Sequence, residues 1–103
     1  MRISFRPDKK IAFSDLMNAK FERYEIAAVG DDHDIHGNPS GMLVHDETKV
    51  LVRSDRDGNV DRLIPTDQNW ATGFILIKIG AVFGAALELA SEPLDDFLSG
   101  EYQ

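Results

Sequence analysis

The sequence predicts a single α+β domain, and three observations carry that expectation. Three short apolar runs, at residues 42–45, 49–54 and 60–64, are separated by turn-forming spacers, the pattern of an antiparallel meander over residues 42–64. A longer apolar stretch with helical spacing follows from residue 67. The chain has 103 residues, 43% of them hydrophobic, which suits one core spanning residues 1–103 with no second domain.

The elements follow in chain order. Arg2, Ile3, Ser4 and Phe5 alternate in polarity as a short half-buried strand does, before Pro7 and Asp8 turn the chain. Ser14 has the chemistry of a helix cap, and Leu16, Met17, Phe21 and Tyr24 recur at helical spacing, so residues 15–23 read as a short N-terminal helix. Residues 24–29 are richer in β-formers and end at Gly30, which suggests a strand. Residues 30–41, with three glycines, one proline and no apolar periodicity, read as a long loop. In the meander, the spacers 46–48 and 55–59 suit hairpin turns, and Asp57-Gly58 offers the residues that a positive-φ turn prefers.

Thr66 and Asp67 can open a helix, expected to run to about residue 90 and to be buried over most of its circumference, because Ile75, Ile79, Val82, Phe83, Ala86 and Leu87 spread around the wheel. The competing expectation is a strand at 74–79, where Ile75, Ile77 and Ile79 are β-branched at period two. A last turn of helix is expected at 94–98, stopped by Gly100. The apolar stretch could also be weighed as a membrane span, but Lys78 near its middle would cost about 3 kcal/mol in lipid. Gly80 and Gly84 form a small-residue pair suited to close packing on the sheet or on a second copy, so a homodimer through this helix is one expectation.

Charge distribution narrows the function. The net charge is −7, with six acids and no Lys or Arg in residues 24–47 and a second acidic block over 88–101. Such surfaces repel phosphate, which argues against direct nucleic-acid or membrane binding. The absence of cysteine removes disulfides, thiolate nucleophiles and Cys-based metal sites, and fits a reducing cytoplasm; the charged, proline-interrupted N-terminus lacks a secretory apolar run.

His33, His36 and His45, set among carboxylates, could suit a divalent metal, but a solvated acidic loop accounts for them as well, and no metal or other cofactor is expected. Residues 55–61 resemble a calcium loop in their alternating oxygens, yet Val60 stands where the sixth-position glycine is needed and Thr66 where the twelfth-position glutamate is needed. No lysine follows Gly37-Asn38-Pro39-Ser40-Gly41, which removes a phosphate loop, and no serine sits in a nucleophile elbow, so an enzyme is not favoured.

The leading expectation is an acidic protein-binding module of the inhibitor kind, as in immunity proteins, antitoxins and phage anti-defence proteins, docking on a basic surface of a nucleic-acid-handling protein. Its contacts are expected from Asp31, Asp32, Asp34, Asp46 and Glu47. The alternatives are a metal-binding protein or hydrolase built on His33, His36 and His45, and a homo-oligomeric structural or accessory subunit.

Overall fold

A computed structural model of the chain describes residues 2–20, 25–84 and 87–92. It consists of one six-stranded antiparallel sheet and two helices, a mixed α+β fold. Strand β1 (Arg2–Pro7) leads into helix α1 (Phe13–Met17); β2 (Ala27–His33), β3 (Pro39–His45), β4 (Thr48–Ser54) and β5 (Val60–Pro65) form a continuous meander; helix α2 (Trp70–Phe83) precedes β6 (Leu87–Glu92). The sheet order is β2-β3-β4-β5-β1-β6.

The meander of residues 42–64 is present and is longer than the apolar runs indicate. The expected loop 30–41 is instead a hairpin: β2 runs on to His33, β3 begins at Pro39, and only five residues turn between them. That turn, Asp34-Ile35-His36-Gly37-Asn38, has the same chemistry as Asp55-Arg56-Asp57-Gly58-Asn59 between β4 and β5. In each, the aspartate N–H donates to the asparagine carbonyl (2.9 and 2.8 Å), and the glycine N–H donates to the aspartate carbonyl (3.0 and 3.2 Å). In each, the aspartate Oδ1 accepts from the backbone N–H groups two and four residues on, at 2.8–3.0 Å. Gly37 and Gly58 take φ +80° and +83°, the left-handed step that completes a three-residue hairpin loop.

Asp46 opens the two-residue turn between β3 and β4 at φ +53°. Asp tolerates this region, whereas a β-branched residue does not. Asp46→Val is expected to destabilise the fold by about 1–2 kcal/mol, and Asp46→Gly to stay within about 0.5 kcal/mol of wild type, as read by chemical denaturation. Equal losses for both variants would contradict a conformational origin.

One sheet face carries the core. Leu43, Val50, Val52 and Leu63 point toward both helices and meet Ile11, Phe13, Leu16 and Met17 from the α1 region and Ile75, Leu76 and Ile79 from α2. Gly41, opposite Val52, leaves room for Met17: an added Cβ would lie 2.6 Å from its methyl carbon. Helix α1 is shorter than the expected 15–23, of which residues 21–23 lie outside the described residues, and Ser14 is not its cap. Ala12 occupies that position, and the first helical N–H, that of Phe13, donates to Gly58 O at 2.8 Å, so the β4–β5 turn satisfies the helix end.

Helix α2 differs from the expected helix over 67–90 in three respects. Asn69 is its N-cap, accepting from Thr72 N at 2.9 Å, while the Thr66 hydroxyl donates to Lys49 O. Gly84 ends it in the left-handed conformation (φ +66°), and Leu87–Glu92 pairs with β1 as a strand. Only Thr72, Ile75, Leu76 and Ile79 are buried, one face and not most of the circumference. Residues 74–79 are helical. The expected turn at 94–98 lies outside the described residues. Among the described residues no helix is long and apolar enough to cross a membrane.

Candidate protein-docking site

The sheet's second face is polar and buried at its centre. Arg53 and Arg62 are direct register partners on β4 and β5, only 4% and 7% exposed, beside fully buried Ser4 and Ile64. The Arg53 guanidinium is paired with the Asp61 carboxylate, and Arg62 Nη1 donates to Ser4 Oγ at 3.1 Å. Asp61 reaches Arg53 because the β4–β5 register shifts next to Arg53.

The expected contact residues divide between the two ends of β3. Asp32 lies on β2, exposed, with Oδ1 accepting from His33 N at 2.8 Å. Asp31 sits in the same strand, within the register shift between Val29 and Asp32. Asp34 opens the turn, and its Oδ1 is committed to the backbone of His36 and Asn38. Asp46 and Glu47 are exposed at the far end of β3, about 20 Å away at 3.3 Å per residue. The five carboxylates therefore form two groups, Asp31, Asp32 and Asp34 at the β2–β3 turn and Asp46 and Glu47 in the β3–β4 turn, and not a single cluster. Asp34 holds the turn as Asp55 does in its own, a role that the repeated Asp-x-x-Gly-Asn pattern could have disclosed from sequence.

Asp31 and Asp32 lie on β2, and Glu88 and Glu92 on β6, the two outer strands of the sheet. Glu88 and Glu92 are register partners of Arg6 and Arg2, so these acidic positions stand beside basic ones. The hairpin formed by β2 and β3 contains no lysine or arginine. Its edge strand combines exposed backbone positions, a bulge and two aspartates, features that also discourage edge-to-edge pairing with other sheets.

The three histidines do not converge. His33 ends β2 and His36 lies within the β2–β3 turn, while His45 is at the other end of β3, where Nδ1 lies 3.6 Å from Asp46 Oδ2. Among the described residues no group of three His, Cys, Asp or Glu side chains is arranged to hold a metal ion. A cleft between the two similar turns is lined by His36, Asn38, Ser54, Asp55, Arg56 and Asp61. Asp55 and Asp61 are already engaged there, the first by its turn and the second by Arg53. A second hollow, between α1 and β2, is lined by Phe13, Ser14, Met17, Asn18, Ala28 and Gly30.

Fold and site together define a small antiparallel α+β protein that presents an acidic edge hairpin. No protein-family model, curated protein or solved structure matches the chain.

Proposed function

We infer that the protein is a cytoplasmic binding module of the inhibitor kind, which docks its β2–β3 hairpin on a basic surface of a nucleic-acid-handling protein. One observation carries this reading: the β2–β3 hairpin and the β3–β4 turn that follows it hold Asp31, Asp32, Asp34, Asp46 and Glu47, with no lysine or arginine from Ala27 to Glu47. Two groups of carboxylates about 20 Å apart engage a basic surface at two points, and charge complementarity of this kind accelerates and selects encounters. Asp31, Asp32, Asp46 and Glu47 supply the electrostatic contacts, while Asp34 contributes charge and holds the turn. The C-terminal acidic block is a weaker candidate, because Glu88 and Glu92 lie opposite Arg6 and Arg2.

The test is affinity capture from native lysate with the wild-type chain and a charge-reversed Asp32→Lys/Glu47→Lys variant, at low and high salt. Both substituted residues are exposed, so the fold is expected to persist by circular dichroism. Wild type is expected to retain one basic partner at low salt and to release it at high salt, and the variant to lose at least 10-fold in recovery. Equal recovery by both chains would refute the hairpin as the docking site.

A further inference from the structure

We propose that the outer edge of β2 is a strand-addition site, along which the partner lays an extended segment of alternating apolar and basic residues. The inference rests on the docking reading above and gives it a binding mode. Among the described residues β2 pairs on one side only, with β3, because it is an outer strand of the sheet. Ala27, Ala28, Val29, Gly30, Asp32 and His33 are all exposed. An open edge of this kind offers a row of N–H and C=O groups to a chain that can lie beside it. The small side chains of Ala27, Ala28 and Gly30 let another backbone approach closely.

Two further observations define what that segment carries. The first is the charge across the strands. At the other edge of the sheet, Glu88 and Glu92 of β6 have Arg6 and Arg2 as register partners on β1. Asp32 of β2 has Ser40, and no lysine or arginine occurs from Ala27 to Glu47. The cross-strand cation that β6 finds within its own sheet is one that β2 takes from outside, and opposite charges at such pairs are favourable. A second copy of this chain is the wrong occupant, since a β2–β2 seam brings Asp31 and Asp32 of both chains to one edge. The second observation is a hollow beside the edge. Ala28 is the register partner of Leu43, a core residue, so it lies on the face that carries the helices. A hollow of about 370 Å³ opens there between α1 and β2, lined by Phe13, Ser14, Met17, Asn18, Ala28 and Gly30. An aliphatic side chain of the added strand, standing beside Ala28, enters this hollow and meets the apolar lining of Phe13 and Met17. Main-chain pairing with a pocket for one alternate side chain is how strand addition combines affinity with specificity. The aspartates that keep acidic sheets away from this edge thus select a basic strand.

The probe is a short capped peptide of alternating Lys and Val, titrated into the isotope-labelled full chain and followed by amide NMR and hydrogen exchange. Shifts are expected within Ala27–His33 and at Phe13 and Met17, with slower amide exchange in β2. The same peptide N-methylated at successive residues keeps its charge and side chains but cannot pair through its backbone, and it should bind roughly 10-fold or more weakly. A peptide with Glu in place of Lys should not bind. Asp32→Lys, at an exposed position, should leave circular dichroism unchanged and weaken binding of the Lys peptide by roughly 5-fold or more. Equal binding of the plain and N-methylated peptides would reduce the contact to charge alone and overturn the inference. So would shifts centred on Asp46 and Glu47, no binding at about 1 mM peptide, or β2 shifts that grow with protein concentration without peptide, which would assign the edge to a second copy. Capture of a basic partner from lysate without peptide pairing removes this inference and leaves the docking reading standing, whereas peptide pairing without a captured partner does the reverse.

Discussion

Asp61→Ala is expected to lower stability by about 2–4 kcal/mol, far more than loss of an ordinary surface ion pair. Arg53 is almost fully buried and stands directly across the β4–β5 ladder from Arg62, so two guanidinium groups share one region of the sheet. Like charges at a cross-strand pair are destabilising, and a buried ion broken from its counter-ion costs about 3–5 kcal/mol. Asp61 itself is 29% exposed, which places the expected loss toward the lower part of that range. Replacing Arg53 by methionine together with Asp61→Ala should recover most of the loss, because the apolar replacement removes the buried charge and keeps the packing of the stem. Denaturant unfolding of the two single variants and the double variant completes the cycle. A loss below about 1 kcal/mol for Asp61→Ala would mean that Asp61 is not what neutralises Arg53.

Leu63→Ala is expected to cost about 3–4 kcal/mol, near the middle of the range for a buried leucine. Leu63 is fully buried on β5 between Val52 of β4 and Phe5 of β1, and it faces the cluster that both helices complete. Strands fix the backbone on both sides, so the site has little freedom to collapse into the void. At roughly 4–8 °C per kcal/mol for a domain of this size, the midpoint of thermal unfolding should fall by about 15–25 °C. Leu51, on the other face and only partly buried, should lose distinctly less on the same truncation. Equal losses at Leu51 and Leu63 would contradict a core confined to the helix-bearing face.

How much of this was legible in the sequence depends on whether local signals and tertiary pairing agreed. They agreed over 42–64, where alternating apolar residues and the Asp57-Gly58 turn define β3, β4 and β5 without outside help. They disagreed at 87–92, where Leu87-Glu88-Leu89-Ala90 is good helix material and is drawn into strand by the free edge of β1; Gly84 was the available stop signal, and it reads equally as a packing glycine. The β2–β3 hairpin was hidden by glycines and polar residues that resemble a loop, although Asp34-x-x-Gly37-Asn38 repeats the Asp55 turn residue for residue at its three fixed positions. The candidate site was legible as a list of carboxylates and not as an arrangement. Nothing in residues 31–47 discloses that a straight strand separates Asp32 from Asp46, nor that Arg53 and Arg62 are buried side by side. Arginine is ordinarily exposed, and only register brings these two together.

The most direct measurement of the central proposal is competition. A fluorescently labelled oligonucleotide is bound to the partner captured by the wild-type chain, and its anisotropy is followed as the protein is added at about 50 mM and 200 mM salt. Docking of the hairpin carboxylates on a phosphate-binding surface predicts complete displacement of the oligonucleotide, with wild type at least 10-fold more potent than Asp32→Lys/Glu47→Lys. Simultaneous binding of the oligonucleotide and the protein to that partner, or equal potency of the two chains, would contradict it.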